Sequence, residues 1–140
     1  MVSLCEPKSD MTTMCVFCQA IARKGQFLEN ERAVAFPDGF PLSPGHTLIV
    51  PRRHETDFFA LSRGEQAALW SLVPAVRNAI ERTYNPTGYN VGVNSGTSAG
   101  QTIDHIHIHV IPRYPGDVKD PRGGVRWVIP DRAAYWEEQE

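Results

Sequence analysis

The 140-residue sequence lacks any long apolar stretch. A membrane-spanning helix needs about 20 consecutive apolar residues, and no segment approaches that length. Its first fourteen residues also lack the apolar core of a secretory signal peptide, because they include Glu6, Lys8 and Asp10. Neither sign of charge dominates, since 14 basic and 16 acidic residues leave a formal net charge of −2. That balance disfavours a nucleic-acid-binding protein, which usually presents a net basic face. We therefore expect a cytoplasmic protein that binds neither membranes nor nucleic acid.

Cysteine is scarce, and its three copies fit poorly with a disulfide framework because the number is odd. Two of them, Cys15 and Cys18, form a Cys-x-x-Cys pair. Such a pair is open to three interpretations: a redox couple, a metal site, or two buried thiols. The redox interpretation is disfavoured, because no strand precedes Cys15 to place the pair where a strand meets a helix. The metal and buried-thiol interpretations stay open at this point.

Two stretches of the sequence have helix signals. A short helix is expected at residues 15–24. The longest helix is expected at residues 62–84, because Ser62 and Glu65 form a capping-box pattern ahead of apolar residues that recur on one helical face. Pro74 lies inside this helix and removes one backbone donor, so we expect a kink or a break there. Residues 1–14 are expected to form a flexible arm.

Strands are predicted from β-branched and apolar runs bounded by turn formers, at residues 27–30, 33–36, 46–50, 89–94 and 103–111. A last strand or extended tail is predicted at residues 125–129. The connections between the first three strands are too short for parallel crossovers. The predicted fold class is therefore α+β, with an antiparallel sheet of about five strands and two helices on one side.

The most informative segment contains three of the five histidines at a spacing of two residues: His105, His107 and His109. Because a strand sends alternate side chains to opposite faces, the three imidazoles should line one face, while the intervening aliphatic residues enter a core. Three charged imidazoles side by side would repel each other. Such a row therefore needs a chemical reason.

The histidine row has three possible explanations. A neutral imidazole is a competent nucleophile toward phosphorus, and neighbouring imidazoles can donate to phosphate oxygens. The preceding loop adds donors that suit an anion: Gly100, Gln101 and Thr102. Alternatively, the histidines themselves hold a zinc ion. A purely structural row is the least favoured explanation.

The segment from His105 to Ile111 matches the pattern His-φ-His-φ-His-φ-φ at every position, where φ is hydrophobic. This pattern is similar to that of the histidine-triad (HIT) family. The segments 36–54 and 94–102 also resemble the family's motifs, in the same order. The resemblance covers residues 15–114 as a HIT domain. It leaves residues 115–140 as a tail that packs on the domain or on a dimer partner.

The resemblance implies a nucleotide-binding hydrolase or transferase that cleaves adenylated substrates, such as nucleoside phosphoramidates or dinucleoside polyphosphates. His107 would attack the α-phosphate to form a covalent nucleotidyl-histidine, and His109 would donate to the phosphate oxygens. Gln101 and Thr102 would assist by holding the α-phosphate or the leaving group. The other implied substrate-binding residues are Asp38 at the ribose, His46 beside the triad, Asn94, and Gly100 in the loop.

Part of the HIT family binds zinc, and the resemblance implies the ligand set Cys15, Cys18, His54 and His105. Two thiolates and two imidazoles fill a tetrahedral shell, so this zinc would be structural rather than catalytic. The family also implies a homodimer. Two other functions are weighed against the nucleotidyl hydrolase. One is a nucleotide-binding regulatory or interaction protein with residual catalysis, and the other is a metallo-hydrolase whose triad holds a catalytic metal.

Overall fold

The computed structural model describes residues 15–23 and 28–139. The expectations for the arm at residues 1–14 and for the first residue of the strand at 27–30 lie outside the described residues. The helices are α1 (Val16–Ala22), α2 (Arg63–Glu81) and the single-turn α3 (Pro130–Ala133). The strands are β1 (Leu28–Glu29), β2 (Ala33–Pro37), β3 (Thr47–Pro51), β4 (Gly88–Val93) and β5 (Ile108–Arg113).

The five strands form one antiparallel sheet in the order β1-β2-β3-β5-β4, which confirms the predicted α+β class. Strand β5 lies between β3 and β4, with Leu48 and Gly92 both opposite His109. The histidine segment is therefore held from both sides at His109. Within the described residues, strand β4 forms one edge of the sheet.

The two longer helices cover opposite faces of the sheet, which corrects the expectation of helices on one side. One face packs against α2 through a cluster that includes Ala35, Ile49 and Val110. The other face packs against α1 through Phe17 and Ile21, which meet a cluster of alternate strand residues: Val34, Leu48 and Val50. Because all five residues of β3 and the first three of β2 are buried, both faces of the sheet are core at these strands.

Helix α2 begins as the sequence predicts. Ser62 accepts a hydrogen bond from the backbone N–H of Glu65, and Glu65 accepts one from the backbone N–H of Ser62. The helix runs through Pro74 without a break. The broad packing of α2 on four strands stabilises it against the one lost hydrogen bond. No helix among the described residues is long and apolar enough to cross a membrane.

Two predicted strands differ from the structure. The histidine strand begins at Ile108 rather than Ile103, because the residues before it bond elsewhere: the backbone N–H of Ile106 donates to Glu55, 2.7 Å away. The side chains nevertheless alternate between the two faces from His105 onward. Ile106 and Ile108 both enter the larger core cluster, while the histidines between and beside them do not. The segment predicted as a last strand is a 3-10 turn, Gly124–Val128. Gly123 and Gly124 have positive φ angles of 95° and 50°, which bend the chain instead of extending it.

Candidate active site and metal centre

The histidine triad is divided between two environments. His105 is fully buried and contacts a cluster of cysteine and histidine side chains. His107 and His109 instead line a cavity of about 750 Å³ on the α1 face of the sheet. The three imidazoles therefore do not act as one metal-binding row. Two separate sites meet at the N-terminal end of β5.

The first site brings together the four predicted ligands Cys15, Cys18, His54 and His105, whose potential ligand atoms all lie within 4.8 Å of one another. The Sγ atoms of Cys15 and Cys18 lie 3.4 Å and 3.5 Å from Nδ1 of His105, and Cys18 Sγ lies 3.4 Å from Nδ1 of His54. Tetrahedral zinc, with bonds of about 2.3 Å to sulfur and 2.0 Å to nitrogen, separates such atoms by about 3.5 Å. The residues present fit a four-coordinate ion.

The surroundings of this cluster suit metal binding in two further respects. Nε2 of His105 lies 2.8 Å from the carbonyl oxygen of Pro51, which fixes the ring with Nδ1 toward the cysteines. Burial lowers the pKa of His105 from its ordinary value to about 4, so the imidazole is neutral near pH 7. Cys15 is also the N-cap of α1, and its Sγ accepts from the backbone N–H of Cys18. The cluster can hold a metal ion.

His107 has a defined tautomer. Its Nδ1 lies 3.0 Å from the carbonyl oxygen of His105, and a carbonyl can only accept, so Nδ1 has the proton. Nε2 then keeps its lone pair. Burial lowers the pKa of His107, which keeps the ring neutral near pH 7. The ring is 8 % exposed and stands edge-on to Phe17, with centroids 4.9 Å apart. His107 therefore presents an unprotonated nitrogen in the wall of a cavity.

His46 and His109 form a second oriented pair. Nδ1 of His46 accepts from the backbone N–H of Leu42 at 3.0 Å, so the proton of His46 is on Nε2. That Nε2 lies 2.9 Å from Nδ1 of His109, which must accept, and the proton of His109 is therefore on its own Nε2. Burial, followed by the nearby His107 and His46, lowers the pKa of His109 to about 4. His109 is thus a neutral donor beside His107, with ring centroids 4.8 Å apart.

The side chains of Asp38, His46 and His109 are also close enough to be considered as metal ligands. Nε2 of His46 lies 3.5 Å from a carboxylate oxygen of Asp38 and 2.9 Å from Nδ1 of His109. Two nitrogens on one tetrahedral zinc are about 3.3 Å apart. The shorter distance is that of a direct hydrogen bond. This group is therefore better described as a hydrogen-bonded chain than as a metal centre.

A family model for the HIT domain matches residues 19–116. The chain belongs to the HIT family. A HIT-like protein of Mycoplasma genitalium is 36% identical over 110 residues, which cover 76% of this chain and 78% of that protein. The adenylylsulfatase HINT3 of Arabidopsis thaliana is 38% identical over 112 residues, which cover 78% of this chain and 57% of HINT3. A zinc-bound histidine triad family protein of Mycobacterium smegmatis superimposes with a TM-score of 0.67 at 28% identity, covering 91% and 99% of the two chains.

In this HIT protein the loop before β5 forms the polar end of the cavity. Asn94, Gly100, Gln101 and Thr102 all line it, as the sequence predicts. Gly100 has a φ of +90°, and a Cβ there would meet nothing within 4 Å, so the backbone rather than the space requires glycine. The backbone N–H groups of Gly100 and Gln101 donate within the loop, to the carbonyl oxygens of Thr97 and Gly96 at 3.0 Å and 3.2 Å.

The side chain of Gln101 is already engaged by the protein. Its Nε2 donates to the carbonyl oxygens of Thr56 and Ile103, at 2.8 Å and 3.1 Å, and its Oε1 accepts from the backbone N–H of Gly96 at 2.8 Å. A direct contact between this amide and a phosphate would require an exchange of these partners. In the structure Gln101 positions the loop instead.

The other wall of the cavity is apolar and was not identified from the sequence. It consists of three residues of α1 and three from the sheet face and the loop: Val16, Phe17, Ala20, Phe36, Leu48 and Ile103. The spacing of Val16 and Ala20 is that of one helical face, which is the signal that could have placed α1 at the site. Asp38 also lines the cavity, with one carboxylate oxygen 3.5 Å from Nε2 of His46 and the other accepting from the backbone N–H of Phe40 at 2.8 Å.

Proposed function

We propose that this HIT protein is a nucleotidyl hydrolase or transferase that cleaves adenylated substrates through a covalent intermediate on His107. The observation that carries the proposal is the tautomer of His107: its Nδ1 is bonded to the His105 carbonyl, and its unprotonated Nε2 is available to the cavity. A neutral imidazole held in this way is a nucleophile for phosphorus. The name of the Arabidopsis relative, an adenylylsulfatase, supports an adenylated substrate.

In the first step, Nε2 of His107 forms a bond to the α-phosphorus while the bond from phosphorus to the leaving group breaks. The leaving group departs with that electron pair and takes up a proton from water. In the second step, a water oxygen bonds to phosphorus, the electron pair of the phosphorus–nitrogen bond returns to Nε2, and the water's surplus proton is released. The His105 carbonyl stabilises the positive charge that the His107 ring has between the two steps.

The cavity supports an ordered binding mode for the nucleotide. Its volume of about 750 Å³ lies in the usual range for small-molecule sites. The base would pack on the apolar wall formed by α1, and the Asp38 carboxylate would accept from the ribose hydroxyls. The α-phosphate would then lie among the donors: Nε2 of His109 and the side chains of Thr102 and Asn94.

We also propose that the metal of the cysteine and histidine cluster is a structural zinc ion. The sulfur–nitrogen distances support it, as does the zinc in the Mycobacterium smegmatis relative. The four residues complete the coordination shell, so the ion would not activate water. It would fasten α1, which forms the apolar wall proposed to hold the nucleobase, to the segment that positions His107. A homodimer is proposed as well, in which the outer edge of β4 offers its backbone to a second copy.

The test combines a panel of adenylated substrates with the variant His107→Asn. Asparagine retains an N–H that can donate to the His105 carbonyl but has no nucleophilic nitrogen. We expect the wild type to hydrolyse at least one adenylate, and the variant to lose turnover by more than a thousandfold while it still binds AMP in calorimetry. Mass spectrometry of quenched reactions should find AMP on the peptide that contains His107. Unchanged turnover in His107→Asn would exclude the proposed nucleophile.

A further inference from the structure

We infer that a second cavity, between β4 and the C-terminal 3-10 turn, receives the leaving group and selects for leaving groups that are apolar and uncharged. This inference rests on the proposed nucleotidyl transfer, because it assigns the other half of the substrate. The cavity has a volume of about 460 Å³, within the range of small-molecule sites.

The second cavity adjoins the nucleotide cavity, and the two share part of their lining. Leu42, Asn94 and His109 line both. His109 is the neutral donor beside His107, so a group on the far side of the phosphorus from the base lies at the opening of the second cavity. A substrate that spans both cavities would have its scissile bond near His107 and His109.

The second cavity is lined mainly by apolar residues, with Asn90, Asn94 and His109 as its polar ones, and none of the described residues that line it is Asp, Glu, Lys or Arg. Val125 and Val128 line it from the C-terminal turn, and Ile111 lines it from β5. The nearest described cation of the adjoining strands is already neutralised, since Arg113 donates to both carboxylate oxygens of Asp117 at 2.7 Å and 2.8 Å and to Asn90 at 2.6 Å. A polyphosphate leaving group would lose its hydration here without gaining a counter-charge. An aliphatic or aromatic amine would gain from apolar burial.

The bottom of the second cavity is open because of one glycine. Gly92 pairs with His109 across β4 and β5, and a Cβ at Gly92 would meet nothing within 4 Å. Its φ is not in the left-handed region, so the backbone accepts any residue there. Valine, which favours strands, can therefore fill this space without strain. The opposite wall, Gly124–Val128, lies outside the segment that matches the family model.

The experiment compares adenosine 5′-phosphoramidates whose leaving amines share a two-carbon linker, phenethylamine and β-alanine, with diadenosine tetraphosphate as a third substrate. We expect kcat/KM for the phenethylamine compound to exceed that for each anionic alternative at least tenfold. In Gly92→Val, the ratio of kcat/KM for the phenethylamine compound to kcat/KM for unsubstituted adenosine 5′-phosphoramidate should fall at least tenfold. Gly88→Val is the matched control, because it adds the same side chain four residues away on the same strand, outside the cavity. Its preference should stay as in the wild type.

A charge reversal provides a second, independent measurement. Val128 is 76% exposed, so Val128→Lys should fold, and its ammonium should raise the relative kcat/KM of the β-alanine compound several-fold. The matched control is Val118→Lys, at an exposed valine outside the cavity. Equal effects of the two lysines, an unchanged preference in Gly92→Val, or a wild-type preference for diadenosine tetraphosphate would overturn the inference. Wild-type turnover of no adenylate at all would instead overturn the proposed function on which it rests.

Discussion

Phe17 is the residue whose replacement should most clearly connect the fold to the site. It is 6% exposed on α1, a helix of seven residues, and it packs edge-on against Phe36, His105 and His107. Replacement of a buried phenylalanine by alanine costs about 3–5 kcal/mol, because apolar burial is lost and a cavity remains. With a denaturant slope of about 2 kcal/mol per molar urea, a loss of 3 kcal/mol lowers the unfolding midpoint by about 1.5 M.

The assay is urea unfolding of Phe17→Ala, followed by calorimetric titration with AMP. The affinity for AMP should fall about tenfold, because the proposed base wall loses its central ring and His107 loses a neighbour. Val16→Ala is the control: Val16 precedes Phe17 on α1, but it is 54% exposed, so the free energy of unfolding should change by less than about 0.5 kcal/mol. A midpoint in Phe17→Ala within 0.3 M of the wild type would refute the view that α1 is fastened to the sheet through this ring.

Two further predictions concern protonation and the metal. The folded-state pKa of His109 is about 4, below the ordinary value of 6.5, so the unfolded chain binds a proton at this residue more readily than the folded protein does. The free energy of unfolding should therefore be highest above pH 6.5 and should fall as the pH drops toward 4. Urea unfolding between pH 7.5 and 5 checks this, and an equally steep loss in His109→Asn would contradict it. Cys18→Ser should lower the zinc content, measured by elemental analysis, from about one ion per chain to far less than one, whereas His109→Asn should retain the ion. Retention of zinc in Cys18→Ser would contradict the proposed ligand set.

Much of the fold could be predicted because local signals and the hydrophobic pattern agree. The reciprocal hydrogen bonds of Ser62 and Glu65 are a local signal, so the start of α2 was predictable. The alternation of histidine and isoleucine predicted which side chains of the triad segment enter the core. The start of β5 was not predictable, because it depends on a bond from Ile106 to Glu55, which is distant in the sequence.

The tail and the placement of helices depend on long-range packing that no short pattern encodes. The run from Val125 to Ile129 has the composition of a strand, yet the positive φ of Gly123 and Gly124 turns it into a 3-10 helix. Nothing in the spacing of α1 specifies which face of the sheet it covers. That choice follows from Phe17, whose ring fills the space between Phe36 and the histidines.

The predicted site residues come together as two groups. Strand alternation alone places three histidines on one face, and the resemblance to the HIT family is what assigned His105 to the cysteines and His107 and His109 to the nucleotide. In the structure His105 lies beside the cysteines, and His107 and His109 line the cavity. A motif also does not specify which groups each of its side chains contacts. Gln101, for example, uses its amide to hold the loop.

The stereochemical course at phosphorus tests the central claim most directly. A substrate with a chiral α-phosphorothioate, hydrolysed in isotopically labelled water, reports each displacement as one inversion, whether or not an intermediate accumulates. Two displacements, first by Nε2 of His107 and then by water, predict net retention of configuration. Net inversion would mean that water attacks the nucleotide directly, and it would contradict a covalent nucleotidyl-histidine.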